Sequence, residues 1–296
     1  MKKLNLYLVV LATVFACSPN PYKTTNRYYK KRAAEFSSEL KQLPIAKNTT
    51  DTLFLDYADY PVATTNFNLR RPNYVVIHHT AQDSVAQTLK TFTLPRTQVS
   101  AHYVIAQNGK IYHMLNDYYR AWHAGVGKWG NNQDLNSSSI GIELDNDGFT
   151  EFSALQIHSL LKLLSFLKEE YGIPQSNFIG HSDLAPSRKV DPNKFFPWKT
   201  LAENGYGYWY DEEKIDRIKM AKDSLNSEEF PTTLPKELVV PENFDPLLAL
   251  RIIGYDISKP ESAIQAFELH FIQNEPDGKL NDREIKILYN LVFKYL

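Results

Sequence analysis

Pro72-Asn73-Tyr74-Val75-Val76-Ile77-His78-His79-Thr80 is the stretch on which the fold turns. Tyr74 to His78 is a short apolar run with β-branched residues at its centre, the pattern of a strand buried on both faces. Pro72, just before it, supports an extended approach. Downstream, residues 102–106 and 110–115 flank Asn108-Gly109, a pair that predicts a hairpin with a type I′ turn. Residues 139–144 read as a further strand and 177–180 as a last short one. Ser153 and Gln156 form a capping box ahead of Leu160, Leu164, Leu167 and Tyr171, which recur as one helical stripe. This alternation predicts an α/β domain, with a mixed central β-sheet flanked by helices, over residues 51–209.

The N-terminus carries an address. Lys2 and Lys3 precede a run, residues 4–16, that is apolar apart from Asn5 and Thr13. Such a run is too short to span a bilayer and fits the apolar part of an export signal. It ends in Val14-Phe15-Ala16-Cys17, which resembles a bacterial lipobox. Cys17 is the one cysteine of the chain, so no intramolecular disulfide forms. The lipobox resemblance implies that Cys17 is lipidated and begins the mature chain; the competing reading is a secretory signal with an incidental cysteine. Diacylglycerol with an N-acyl chain suffices for stable membrane anchoring. By the same resemblance, Ser18 in place of an aspartate implies the outer membrane. Residues 1–17 are thus a signal, and the polar residues 18–50 a tether with a short helix near 28–40.

Pro231, Pro235 and Pro241 mark a connector, residues 210–241, that starts with a charged, helix-like stretch over 211–226. The tail, 242–296, reads as three short helices, the second boxed by Ser258 and Glu261 and the third by Asn281 and Glu284. Leu247, Leu250, Ile252, Ile253, Ala266, Phe267, Phe271, Ile285, Leu288, Leu291 and Val292 supply a small core. About 55 residues is marginal for independent stability, so the tail is expected to dock on the larger domain. Composition sets outer limits. At 296 residues, 43% hydrophobic and 23% charged, the chain is neither disordered nor collagen-like, and one apolar run excludes a polytopic membrane protein. Its 33 basic and 34 acidic residues give no electrostatic case for nucleic acid as a partner.

Polar residues cluster where three strands end: Val75-Val76-Ile77-His78-His79-Thr80, Ser138-Ser139-Ile140-Gly141-Ile142-Glu143, and the segment from His181 through Ser187-Arg188-Lys189-Val190-Asp191-Pro192. Two histidines and an acid with one open position make a hydrolytic zinc site, to which imidazole and carboxylate are suited. Composition alone does not select these residues among eight histidines and 34 acids. The motifs VVIHHTA, SAHYVI, SSSIGIELDN and IGHSDLAPSRKVDP follow in order over about 120 residues. In this ordered set the chain resembles the zinc-dependent N-acetylmuramoyl-L-alanine amidases of the type 2 class, which share a fold with phage amidase-lysozymes and peptidoglycan recognition proteins. The resemblance implies one zinc ion held by His78, His181 and Asp191, a catalytic acid at Glu143 and an active-site lysine at Lys189. It implies hydrolysis of the amide between N-acetylmuramic acid, or its anhydro form, and L-alanine in peptidoglycan or muropeptides. The rival, on the same fold, is a non-catalytic peptidoglycan-binding receptor. Residues 247–296 resemble the helical peptidoglycan-binding module of the family's lipoprotein subtype. Phage members carry a tyrosine where this chain has Ala101, which marks the subtype.

Duller roles compete at each position. His79 is the alternative to His78, but adjacent strand residues point to opposite faces and the family pattern selects His78. Glu143 is otherwise a structural partner of Lys189, and Lys189 a solvated surface cation. His102, placed with Trp122 and His123 among the substrate-binding residues, either supports a ligand or packs in the hairpin. Trp122 and His123 either line the substrate cleft or belong to the core. His113, His158 and His270 are assigned to surface or packing, and the aromatic stretch 206–210 to a domain interface rather than to substrate.

Overall fold

A computed structural model describes residues 20–41, 64–66, 68–221 and 235–296. The signal at 1–17 with Cys17, and parts of the tether and the connector, lie outside the described residues. The chain divides into two compact units, 1–68 and 69–296. The first contains α1 (Lys23–Leu40), which starts five residues before the helix expected at 28. The second runs β1 (Tyr74–His79), α2 (Val85–Thr93), β2 (Tyr103–Ile105), β3 (Ile111–His113), α3 (Leu135–Ser138), β4 (Ser139–Leu144), α4 (Ala154–Tyr171), β5 (Phe178–Gly180), α5 (His181–Leu184), α6 (Trp198–Glu203), α7 (Glu212–Ile215), β6 (Lys219–Met220), β7 (Val239–Val240), α8 (Pro246–Ile253), α9 (Pro260–Phe267) and α10 (Asp282–Tyr295). No helix among the described residues is long and apolar enough to cross a membrane.

The main sheet has the order β3-β2-β4-β1-β5. β1 pairs parallel with β4 and β5, β4 pairs parallel with β2, and β3 closes one edge antiparallel. It is the mixed sheet the sequence predicts. Val75, Val76, Ile77, Ile140 and Ile142 are wholly enclosed, as strands covered on both faces require. α4 supplies part of that cover through the expected stripe of Leu160, Leu164, Leu167 and Tyr171, all buried. The parallel strands share a direction, so β1, β4 and β5 deliver their last residues to one edge, where α/β sheets bind ligands.

Local details depart from the sequence reading. The 108–109 hairpin forms, but only Gly109 has positive φ (+81°). Ala106 pairs with Lys110, and Gly109 N–H returns to the Ala106 carbonyl (2.8 Å), so the loop has three residues and ends on a left-handed glycine instead of a type I′ turn. Ser153 accepts from Gln156 N–H, yet Gln156 leaves the box half closed. Its buried amide donates to the carbonyls of Ile105 and Asp145 at the sheet end, because an enclosed amide needs partners there. Of the stretch 211–226 expected as a helix, the described residues, which end at 221, form only one turn, α7. Ile218 and Met220 then alternate into the core, and β6 pairs with β7.

The tail forms α8, α9 and α10, with a π-helical turn, Glu268–Ile272, after α9. The Asn281–Glu284 box closes. Ser258 does not cap α9; it bonds Asp256, and Pro260 opens the helix one residue after Lys259. Of the expected core residues, Ile252 is instead exposed on α8. The tail and the sheet domain share one apolar core in which Trp129 meets Tyr255 and Trp198 stacks on His270.

Candidate metal centre

His78 stands near the end of β1, Glu143 near the end of β4, and His181 directly after β5. Asp191 follows the Ser187-Arg188-Lys189-Val190 loop, and its carbonyl accepts Ser182 N–H (2.8 Å), which folds the loop back over α5. Three ligand atoms meet. His78 Nδ1 lies 2.9 Å from His181 Nδ1, and each lies 3.0 Å from Asp191 Oδ2. All three residues are buried, and they are the one such group of potential ligands among the described residues.

The outer nitrogens fix which atoms face inward. His181 Nε2 sits 3.0 Å from the Ala124 carbonyl, which only accepts, so the proton is on Nε2 and Nδ1 is a bare lone pair. For His78 the same logic runs through a chain. Ser139 donates its hydroxyl to the Leu135 carbonyl (2.5 Å). It therefore accepts from His123 Nε2–H (3.2 Å). His123 Nδ1 is then free to accept from His78 Nε2–H (3.1 Å), which leaves His78 Nδ1 bare. Neutral rings suit this chain. Burial, aided by the neighbouring His181, brings His78 down to about 4, and burial holds His123 well below the usual histidine range. Two bare imidazole nitrogens 2.9 Å apart repel each other unless a cation lies between them and the carboxylate. Zinc bonds of about 2.0–2.1 Å in a tetrahedral array ask for donor atoms spaced at roughly this distance.

Glu143 is beside His78 in register, on the same face of the sheet. Its Oε2 is enclosed without a hydrogen-bond partner among the described residues. Burial, then repulsion from Asp191, pushes its carboxyl well above the usual range, against the opposing charge of Lys189. Lys189 is half-buried and close enough to act electrostatically on both His78 and Glu143. His79 points the other way and accepts Asn193 N–H (3.1 Å).

The remaining site expectations separate. Trp122 is half exposed. His123 does not face a cleft: it lies behind His78, its ring seated on Gly141, where a Cβ would come within 2.4 Å. His102 bonds backbone groups rather than the three candidate ligands. It is wholly enclosed, accepts Gly141 N–H at Nδ1 (3.0 Å) and donates from Nε2 to the Tyr119 carbonyl (3.0 Å), so it ties the β2 side to β4. Tyr206 and Trp209 are buried, and Tyr208 stacks on Tyr295 of α10, as interface packing predicts. His158 is exposed and His113 bonds Asp117.

Sequence reasoning missed several supports. Asn136 accepts the backbone N–H groups of His123 and Ala124. Arg188 donates to the carbonyls of Ala124 and Val126 and so anchors the strip that orients His181. Gly141 was legible: a glycine inside a strand marks a close approach.

A family model described as N-acetylmuramoyl-L-alanine amidase matches residues 68–194, which include His78, His181 and Asp191. The chain is 32% identical over 248 residues to N-acetylmuramoyl-L-alanine amidase AmiD of Escherichia coli K12, covering 76% of this chain and 84% of that protein. The chain belongs to the N-acetylmuramoyl-L-alanine amidase family. A solved complex of E. coli AmiD with the substrate anhydro-N-acetylmuramic acid-L-Ala-D-gamma-Glu-L-Lys is similar to this amidase with TM-score 0.62 and 30% identity, over 79% of this chain and 93% of that one. The crystal structure of AmpDh3 from Pseudomonas aeruginosa is similar with TM-score 0.64 and 32% identity, over 82% and 99%. The 1,6-anhydro-N-acetylmuramyl-L-alanine amidase AmpD of Haemophilus influenzae is 38% identical over 103 residues, and the match spans 34% of this chain and 56% of that protein. The amidase's cofactor is zinc, and the two imidazoles with one carboxylate fit it with a fourth position left for substrate or water.

Proposed function

We propose that this amidase cuts the amide between N-acetylmuramic acid, or its anhydro form, and L-alanine in peptidoglycan or its muropeptide fragments. The observation that supports this reading is the pair of bare Nδ1 atoms converging with Asp191 Oδ2, beside a carboxyl with an unpartnered oxygen. When bound, zinc supplies Lewis acidity that polarises the scissile carbonyl and makes water a nucleophile near neutral pH. His78, His181 and Asp191 hold it. Glu143 takes the proton of the attacking water and delivers it to the leaving alanine nitrogen, a role that suits a carboxyl whose proton affinity burial has raised. Lys189 brings a positive charge to the oxygen that gains negative charge at the tetrahedral stage. Trp122 offers an aromatic face to the sugar at the rim.

The rest of the chain fits work at an envelope. Cys17 carries the lipid, residues 18–50 tether the catalytic unit, the outer membrane is the site of attachment, and 242–296 is the peptidoglycan-binding module. Incubation of the zinc-loaded protein with an anhydro-muramoyl tripeptide, followed by mass spectrometry, tests the reaction. Free peptide beginning with L-alanine is the expected product. A cut inside the stem would make the protein a peptidase, and binding without cleavage would make it a receptor. Labelling with radioactive palmitate tests the anchor: label should enter the wild-type chain and be absent from Cys17→Ala.

A further inference from the structure

Asp183 lies two residues after the ligand His181 on α5, a single helical turn, and it is fully enclosed. One turn is too short to hold itself, since helix nucleation is unfavourable without outside contacts. Its carboxylate has three donors. Gly180 N–H reaches Oδ2 (2.7 Å) from the end of β5. The other two come from the tail, far along the chain: the Tyr255 hydroxyl donates to Oδ1 (2.8 Å) and His270 Nδ1–H to Oδ2 (2.8 Å). A buried carboxylate must be fully paired, so these two bonds decide where Asp183, and with it α5, comes to rest.

The tail is shaped to present the two donors. Tyr255 follows α8 immediately past Gly254, whose carbonyl accepts Gly130 N–H (2.7 Å), and its ring packs edge-on to Trp129 (5.0 Å). His270 is in the π-helical turn, stacked on Trp198 at 3.9 Å. Its Nε2 is buried with no hydrogen-bond partner among the described residues. One nitrogen of this ring is thus orphaned in the core, and the other serves Asp183.

We propose that Asp183, clamped by Tyr255 and His270, is a positioning residue for His181, so that the helical tail sets the zinc affinity of the amidase as well as contributing to the core. The proposal rests on the reading of His181 as a zinc ligand, and its test separates the two. Zinc affinity of the full chain is measured by competition with a fluorescent chelator, alongside kcat and KM on a muramoyl peptide and the midpoint of urea unfolding. Tyr255→Phe and His270→Phe delete one hydrogen bond each while keeping the ring, and His270→Phe also removes the orphaned nitrogen. Each should weaken zinc binding about tenfold, as loss of a supporting partner does, and lower kcat at saturating zinc with KM little changed. Tyr171→Phe is the matched control. Its hydroxyl donates to the buried Asp117 at the same 2.8 Å, away from the metal, and its loss should cost stability without moving zinc affinity. Wild-type zinc affinity in both tail variants, with binding abolished in His181→Ala, overturns the clamp and leaves the ligand set intact. Equal weakening in Tyr171→Phe also overturns it, since general loosening would then explain the effect. Unchanged zinc binding in His181→Ala removes the ligand assignment and the clamp together.

Discussion

Ser139 decides which nitrogen of His78 faces the metal although two hydrogen bonds separate them. Its hydroxyl is committed to the Leu135 carbonyl, so it accepts from His123, which accepts from His78. Ser139→Ala frees His123 to carry its proton on Nδ1, toward His78. Zinc affinity should fall by about 10- to 100-fold with the fold intact, a loss that chelator competition reads directly. Glu143→Gln separates holding from reacting. It keeps shape and all three ligands, so zinc should still bind in 1:1 ratio, while turnover drops on the order of 10²- to 10⁴-fold. Retention of near-normal product release would take proton transfer away from Glu143. Acid also has a signed effect on the metal-free protein. His78 titrates at about 4 when folded, against about 6.5 when unfolded. Between those values the unfolded chain holds a proton the folded chain lacks, so stability is lost as pH falls from about 6.5 to about 4, by roughly 3 kcal/mol for this one group. His123, also depressed by burial, adds to the loss with the same sign. Glu143, pushed up by burial, and Glu268, raised to about 7, take up protons first in the folded state and oppose this trend. The signal is therefore a difference: from pH 7 to 4.5 the urea midpoint of zinc-free wild type should fall relative to that of zinc-free His78→Phe, and parallel profiles would contradict the neutral-ring chain. The ligands were legible in sequence only as ordered motifs. His123 and His102 read as cleft residues because a histidine beside an exposed tryptophan or in a hairpin carries no local mark of which way it points. Only the packing over Gly141 turns them inward.

At the level of elements, register does the positioning. β1 and β4 pair so that His78 is opposite Glu143, and a slip by one residue would send either side chain to the other face. The strands were readable because enclosed parallel strands must be apolar throughout, whereas their ends follow from partners distant in sequence. The hairpin shows the difference. Asn108-Gly109 announces a turn, but the Ala106–Lys110 pairing and the contact with α4 set its type. Gly109 has φ +81°, and a Cβ there would stand 2.8 Å from both the Leu155 carbonyl oxygen and Ser159 Oγ. Gly109→Ala should thus destabilise by more than about 1 kcal/mol, seen as a lower urea midpoint, while zinc affinity stays at the wild-type value because Gly109 abuts α4 and not the ligands. The stretch after Asp211 misled for a similar reason. Its charges suit a helix, yet Ile218 and Met220 need the core at a spacing of two, and burial overrides propensity.

For residues 69–296 the question of scale is whether the tail is a separable module. Its sequence reads as one, with its own caps and apolar positions. Its contacts do not: Trp129 from the sheet domain packs on Tyr255, Trp198 on His270, Lys294 and Tyr295 bond the Trp209 carbonyl, and Asn290 accepts Asp211 N–H. A helical trio of about 55 residues buries too little alone, and the larger domain without it would expose aromatic rings and strip a buried carboxylate of two of its three donors. The two parts should therefore melt together. Calorimetry of the intact chain is expected to give one transition for this unit, raised in temperature by added zinc because the ligands belong to the folded state alone. Proteolysis on approach to that transition should release no stable catalytic fragment ending near residue 241. Two resolved transitions, with only the upper or lower one responding to zinc, would mean that the tail folds apart from the metal centre and that the shared core is a contact between neighbours.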